Sequence, residues 1–142
     1  MISTGIRGTG KWTVTEEMTA KNLGSGEMEV LGTPALISWV EATAWKSLRD
    51  YLEPGWTTAG TKLEISHLSP TPVGMNVRCE TEVIQVDRRR VVFRAEVFDE
   101  AGKVGEGIHE RFMVQKETFL RKAMEKAADR QETGSAGPEI HA

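Results

Sequence analysis

Four short segments of this 142-residue chain carry polar side chains in apolar surroundings, where such groups are costly to bury without a partner. Two of them lie in one helical pattern, in which Glu41 follows Thr33 by eight residues. The others are His67, within an apolar run, and the late segment from Gly105 to Arg111. A hydroxyl, a carboxylate and an imidazole are groups that hydrolytic enzymes use, so the pattern predicts hydrolytic chemistry.

The composition is that of one globular domain, with 39% hydrophobic residues and a net charge of −3. Lys and Arg are scattered, so we expect no nucleic-acid partner. No stretch approaches the ~18 apolar residues of a membrane span, and no signal peptide follows Met1, so we expect no membrane association and a cytoplasmic location. Cys79 is the only cysteine, which excludes an internal disulfide, and its strand pattern predicts a small buried hydrophobe.

One long helix is predicted from Thr33 to about Tyr51. Thr33 is expected to cap its free amides, and Pro34 suits the first helical position. Apolar residues repeat at helical spacing around most of the circumference, and Glu53-Pro54-Gly55 ends the pattern. This helix should therefore be largely buried.

The apolar period is two on either side of that helix, which predicts strands. A first strand is predicted at residues 10–18, followed by a loop or a short helical turn. Four more strands are predicted after the helix, at about Thr57–His67, Met75–Gln85, Val91–Asp99 and Lys103–Gln115. Short connections between the last three predict antiparallel hairpins.

A second helix is predicted from residue 117 to about 129, and residues 130–142 have the composition of a flexible tail. The prediction is thus a single α+β domain over residues 1–129. Its curved antiparallel sheet of about five strands wraps around one long central helix.

Helix dimensions constrain the candidate site. Eight residues separate Thr33 from Glu41, or about 12 Å along the axis, so the two cannot touch within one straight helix. Either the substrate bridges them or one of them belongs to a partner subunit. Because a single sheet also leaves an edge strand unpaired, we expect a homodimer with sites at its junction.

Specific residues resemble the fluoroacetyl-CoA thioesterase family, whose fold is the hotdog fold. The similarity extends from about Val30 to Val114. The residues that carry it are Thr33 and Glu41, Tyr51-Leu52-Glu53-Pro54-Gly55, Gly60-Thr61, His67, and Gly105-x-Gly107-x-His109-Glu110-Arg111.

The resemblance implies an acyl-CoA thioesterase that acts as a homodimer, or as a dimer of dimers. It implies that Thr33, Glu41 and His67 are catalytic and that Gly60 lies near the thioester carbonyl. A coenzyme A thioester would be the substrate, with no cofactor. No residues with metal-ligand spacing occur, so no metal is expected.

The segment before Thr33 departs from the family pattern. The fluoroacetyl enzyme has an aromatic lid there, whereas residues 22–29 contain no aromatic side chain. We therefore expect a broader or different short or medium acyl group.

Substrate contacts are predicted for a second set of residues. Gly32, beside the helix N-terminus, and Gly60 could each bind the thioester oxygen. His109 and Arg111 share a strand face, and they either contact the substrate or fix the sheet edge or the dimer by ion pairs with Glu41 or another carboxylate. Gly105 and Gly107 are expected where helix and sheet approach closely.

Every catalytic assignment has a structural alternative. Thr33 can be a simple cap, Glu41 can form an ion pair across a dimer interface, and His67 can be a satisfied strand histidine. Among other functions, a non-catalytic hotdog module that binds acyl-CoA needs a groove but no reactive group. A hydratase needs an Asp–His pair in a hydrated-enoyl motif that the sequence lacks, and a purely structural dimer remains the simplest alternative.

Overall fold

A computed structural model describes residues 1–130, so most of the predicted tail lies outside the described residues. Five antiparallel strands form one sheet in the order β1-β3-β4-β5-β2. The elements in chain order are β1 (Arg7–Thr13), α1 (Ala20–Leu23), α2 (Thr33–Leu48), β2 (Trp56–His67), β3 (Asn76–Asp87), β4 (Arg90–Asp99), β5 (Lys103–Gln115) and α3 (Lys116–Asp129). The predicted α+β arrangement of five strands around a central helix is confirmed.

Helix α2 is fixed on the sheet by a row of fully buried side chains at a spacing of four residues. These are Leu36, Val40, Ala44 and Leu48. Trp39 adds a stacked contact with Trp12 of β1, with ring centroids 5.1 Å apart. Burying a leucine-sized side chain stabilises a fold by about 1.5–3 kcal/mol, so this row holds the helix firmly. Its polar residues are thereby held in fixed positions over the sheet.

The first strand occupies residues different from those predicted. It runs from Arg7 to Thr13 instead of 10–18, because its partner β3 begins at Asn76, opposite Thr13. Gly8 and Gly10 make this segment a poor strand by propensity. They are needed because a Cβ on Gly8 would lie 2.8 Å from the Ser47 Cβ of α2. Close helix packing therefore overrides the local preference.

The predicted cap of α2 is also wrong by one residue. Gly32 is the N-cap, with an extended backbone, and Thr33 is the first helical residue. No side chain caps the helix, so the Thr33 hydroxyl is available for another contact. The helix ends at Leu48 and a 3₁₀ turn continues to Tyr51, close to the predicted end.

A one-residue bulge in β2 decides which of its side chains face α2. Gly60 lies opposite Arg111 and Lys62 lies opposite the next residue, Glu110, so Thr61 has no partner in β5. Side chains alternate between the two faces of a strand, and an extra residue reverses that alternation. The bulge therefore brings Gly60 and His67, which are seven positions apart, to the same helix-facing side.

The two late glycines make different contacts. A Cβ on Gly105 would lie 3.2 Å from Leu36 of α2, which agrees with the predicted helix–sheet approach. A Cβ on Gly107 would instead lie 1.9 Å from the carbonyl oxygen of Glu64 in β2. Gly107 therefore permits a close approach between two strands, which corrects the prediction for this residue.

Cys79 is fully buried, as predicted, and burial raises the pKa of its thiol to about 11. None of the helices within residues 1–130 has the length and apolar character needed to cross a membrane.

Substitution of Gly107 by Ala should destabilise the fold more than the same change at Gly102. Both glycines have a positive φ, +157° and +149°, so each variant carries backbone strain of about 1–3 kcal/mol. Only at Gly107 does the new methyl group collide with backbone, whereas the space beside Gly102 is open. We expect an additional loss of about 1–3 kcal/mol in urea denaturation of Gly107→Ala. Equal losses in the two variants would contradict the steric argument.

Candidate active site

Thr33 and His67 form the first part of the candidate site. Thr33 lies in the first turn of α2 and His67 is the last residue of β2, and a hydrogen bond of 2.9 Å joins Thr33 Oγ1 to His67 Nδ1. Burial lowers the pKa of His67, and the backbone of Ser69 opposes this effect. The imidazole is therefore neutral at neutral pH. His67 Nε2 is buried without a hydrogen-bond partner among residues 1–130, as expected for an atom that meets a ligand or a second subunit.

A cavity of about 340 Å³ opens beside this pair. Its wall includes Thr33, His67, the segment Leu68 to Pro70 and the residues from Ser25 to Met28. Its volume lies at the lower end of the range of small-molecule pockets. The segment before Thr33 thus lines the cavity in the position expected of a lid, and it does so without an aromatic side chain.

Glu41 and Arg111 form the second part. Arg111 Nη1 donates to Glu41 Oε2 at 3.3 Å, so the ion pair considered for Glu41 forms within one chain. The guanidinium also donates twice to Thr58, from Nε to Oγ1 at 2.8 Å and from Nη2 to the carbonyl oxygen at 3.0 Å. Arg111 is buried, whereas 41% of the Glu41 side chain is exposed. Arg111 therefore holds the Glu41 carboxylate from the buried side, and the other side of the carboxylate is exposed to solvent.

His109 supports this ion pair from the core. It is fully buried, with Nδ1 2.8 Å from the carbonyl oxygen of Lys62 and Nε2 3.1 Å from Arg111 Nη1. Burial lowers the pKa of His109, and Arg111 acts in the same direction. Both ring nitrogens are thus occupied by protein groups. The geometry favours a supporting position for His109 over the predicted substrate contact.

The two glycines predicted to bind the thioester oxygen have different surroundings. A Cβ on Gly60 would lie 2.5 Å from Glu41 Oε2, so only glycine lets this carboxylate approach β2 so closely. Gly32 is buried, and a Cβ there would lie 3.0 Å from the Ala20 nitrogen of α1. Gly60 therefore belongs to the accessible part of the site, while Gly32 serves the packing of α1 against α2.

The candidate residues of one chain lie in two separate groups, which are called half-sites here. Thr33 and His67 form one, and Glu41, Gly60 and Arg111 form the other. The helix separates Thr33 from Glu41 by about 12 Å, and the six ladder steps between Gly60 and His67 separate them by about 20 Å. Within residues 1–130, no cluster of three or more His, Cys, Asp or Glu side chains could hold a metal ion.

Sequence reasoning missed Thr58, which accepts two of the Arg111 hydrogen bonds. The alternation of side chains in β2 could have indicated Thr58. It lies two residues before Gly60, and it is therefore on the same face of the strand. Without the register between β2 and β5, that alternation does not reveal its partner.

With this geometry in hand, the chain can be compared with known proteins. Residues 14–117 match the model of the FlK family, described as fluoroacetyl-CoA-specific thioesterase. The chain belongs to this family. The fluoroacetyl-CoA thioesterase of Streptantibioticus cattleyicolor is 32% identical over 98 residues, which cover 69% of this chain and 70% of that enzyme.

Solved structures extend the likeness to the whole fold. A structure of the fluoroacetyl-CoA thioesterase FlK matches with a TM-score of 0.84 and 30% identity, covering 89% of this chain and 98% of that one. A thioesterase superfamily member from Thermus thermophilus matches with a TM-score of 0.81 and 28% identity, covering 90% and 97%. Membership of the FlK family makes the chain a thioester hydrolase, and these matches confirm the predicted hotdog fold.

Replacing Arg111 by Lys tests how strongly the second half-site contributes to stability. Lysine keeps the charge but cannot reproduce the planar fork, so Thr58 and His109 lose their donors. We expect a loss of about 2–4 kcal/mol in the free energy of unfolding, measured by urea denaturation. Arg90→Lys is the matched control, because Arg90 pairs with Glu110 nearer the surface, and it should cost less than about 1 kcal/mol. Similar losses in both variants would contradict the role assigned to the buried fork.

Proposed function

We propose that this protein hydrolyses a short or medium acyl-CoA thioester at a site that two subunits build together. Thr33, Glu41 and His67 are the proposed catalytic residues, and Gly60 and Arg111 line the proposed site. One observation carries the proposal: the two half-sites lie on the same face of one edge strand, too far apart to act within a single chain.

A second copy of the chain brings the half-sites together in a simple way. Strand β2 lies at an edge of the sheet, with β5 on one side only. Because Thr61 is bulged out of the ladder, six paired steps separate Gly60 from His67, and their midpoint falls at Glu64. A twofold axis there pairs the two β2 strands in antiparallel fashion, so that His67 of one copy lies opposite Gly60 of the other. Two identical composite sites result in each homodimer.

The residues then have distinct tasks in the hydrolysis. Glu41 either attacks the thioester carbonyl carbon or removes a proton from the water that attacks it. A new carbon–oxygen bond forms, the carbon–sulfur bond breaks, and the coenzyme A thiol is released. If water attacks, the carboxylic acid forms in the same step; if Glu41 attacks, water must then cleave the anhydride between Glu41 and the acyl group to release the acid and restore the carboxylate. The neutral imidazole of His67, hydrogen-bonded to Thr33, can carry a proton to the leaving sulfur.

The acyl group is proposed from the cavity beside Thr33. Structures of FlK variants have been solved in complex with fluoroacetate and CoA, and in complex with acetyl-CoA, which are ligands with two-carbon acyl groups. In this chain the cavity wall from Ser25 to Met28 lacks an aromatic side chain. We therefore propose a broader or different acyl group.

A non-catalytic module that binds acyl-CoA is the second candidate function. It would need a groove but neither the bonded Thr33–His67 pair nor an accessible carboxylate on Arg111. The presence of both favours catalysis.

Glu41→Gln should remove turnover without unfolding the protein. The amide can neither attack nor accept a proton, and general-base catalysis contributes about 10²–10⁴-fold, so kcat should fall by that factor. Release of free thiol from a panel of acyl-CoA esters measures it. Glu125→Gln, which changes an exposed glutamate of α3, is the control and should keep wild-type kcat. Unchanged turnover in Glu41→Gln, or tight binding of acyl-CoA with no thiol release by the wild type, would overturn the assignment.

Mixing two inactive variants tests whether the site is shared. Glu41→Gln and His67→Ala each damage both sites of their own homodimer. In a mixed dimer of the proposed kind, one site carries both defects and the other carries none. After subunit exchange, about half of the dimers are mixed, so about a quarter of wild-type activity should return.

The control for this experiment is a mixture of Glu41→Gln with Thr33→Ala, which should recover activity equally, because Thr33 and His67 lie in the same half-site. Mixing Thr33→Ala with His67→Ala should restore nothing. Failure of every mixture, despite subunit exchange detected by mass spectrometry, would refute the shared site.

A further inference from the structure

The guanidinium of Arg111 divides its hydrogen bonds in an unusual way. A guanidinium has five N–H donors, and four of them have acceptors among the described residues. Two go to Thr58, while the two hydrogens on Nη1 go to different acceptors, Glu41 Oε2 at 3.3 Å and His109 Nε2 at 3.1 Å. His109 thus shares one nitrogen of Arg111 with the carboxylate.

This sharing fixes the protonation of His109. Arginine is only a donor, so His109 Nε2 must accept, and the ring hydrogen must lie on Nδ1. Nδ1 then donates to the carbonyl oxygen of Lys62 at 2.8 Å. The ring is fully buried and stacks on Phe93, with centroids 6.0 Å apart, so it cannot rotate away. The imidazole is therefore held as a neutral acceptor that points at Arg111.

The consequence for Glu41 follows from the usual geometry of such pairs. An arginine and a carboxylate that are free to choose form two parallel hydrogen bonds, which occupy both carboxylate oxygens. Here the Nε and Nη2 edge of the guanidinium faces Thr58, and the two Nη1 hydrogens, which diverge in the guanidinium plane, go to His109 and to Glu41, so a single bond reaches the carboxylate. The pair is anchored at one oxygen, and the partly exposed carboxylate keeps the other oxygen for reaction.

We propose that His109 is a positioning residue for catalysis, because it holds one Nη1 hydrogen and so fixes the guanidinium at the angle from which Arg111 reaches Glu41 by one bond, leaving the other carboxylate oxygen free to act on the thioester. This inference rests on the proposed function of Glu41. It gives His109 a role different from substrate contact, since neither ring nitrogen faces a substrate.

The arrangement should respond to acid. A protonated His109 cannot accept from Arg111, and it adds a positive charge beside that guanidinium, with Glu41 and Glu110 as the opposing negative charges. Because burial lowers the pKa of His109, the folded state prefers the neutral ring. Its contribution to stability is complete above about pH 6.5, the value of a free histidine, and is lost as the pH falls below it. Activity should fall with the same protonation.

Two substitutions separate positioning from packing. In His109→Gln, the side-chain oxygen can occupy the place of Nε2 and accept from Arg111 at every pH. In His109→Leu, this Nη1 hydrogen has no acceptor, so the guanidinium can shift toward Glu41 and bond both carboxylate oxygens through Nη1 and the unused Nη2 hydrogen. We expect kcat of His109→Gln to stay close to wild type at neutral pH, and kcat of His109→Leu to fall by about tenfold to a hundredfold with little change in KM. The acid limb caused by His109 should be present in the wild type and absent from His109→Gln.

Nitrogen-15 NMR of the histidine rings provides a readout that does not depend on hydrolysis. The signals of His109, assigned by their loss in His109→Gln, should show a neutral ring with the proton on Nδ1 at pH 7, and their titration should match the acid limb of kcat. A cationic ring, or a proton on Nε2, would overturn the inference. A wild-type kcat in His109→Leu would also overturn it, and so would an unchanged acid limb in His109→Gln. If His109→Leu does not fold, the acid limb of His109→Gln decides the matter. Failure of the proposed function can be told apart from failure of this inference. In that case the wild type releases no thiol from any ester, while the NMR measurement still tests the hydrogen bond between His109 and Arg111.

Discussion

The site depends on a single unpaired residue in β2. Without the bulge at Thr61, the alternation of side chains would turn His67 to the face of the sheet that lies away from α2, and Thr33 would have no partner. With the bulge, one strand presents Gly60 to the carboxylate of Glu41 and His67 to the hydroxyl of Thr33. The register between β2 and β5 thus determines the chemistry as well as the fold, because every other site residue lies on an element that packs against this strand.

A second constraint is the buried charge of Arg111. Taking a guanidinium out of water is expensive, and its burial is tolerated only where acceptors surround it. Thr58, His109 and Glu41 supply those acceptors, so the residues that stabilise the sheet are also those that orient the carboxylate proposed to react. Removing one of these acceptors would leave a donor of Arg111 without a partner, which costs stability. Stability and function are therefore coupled at this position, in contrast to the Thr33–His67 pair near the surface.

Much of this organisation was accessible from sequence, and the exceptions have physical causes. The buried helix and the last four strands follow from apolar periodicity, and Thr33, Glu41 and His67 stand out because they interrupt it. The first strand was predicted at the wrong residues because it contains Gly8 and Gly10, which have low strand propensity. These glycines are present because α2 packs too closely against the strand to leave room for side chains. The cap was assigned to Thr33 because a threonine hydroxyl suits that role locally. In the structure the hydroxyl is hydrogen-bonded to His67, which lies 34 positions further along the chain. The bulge and the partner of Thr58 depend on the pairing of β2 with β5, which no local pattern encodes.

The division into half-sites has a consequence for how such an enzyme changes its substrate. The cavity that would receive the acyl group is walled by the segment from Ser25 to Met28 and adjoins Thr33. The carboxylate proposed to react is held by β2 and β5, about 12 Å away along the helix. In a shared site, these two parts come from different copies of the chain and meet only at the interface. Replacement of the aromatic lid can therefore alter which acyl group fits while the Glu41–Arg111–His109 cluster stays intact, because no side chain serves both tasks.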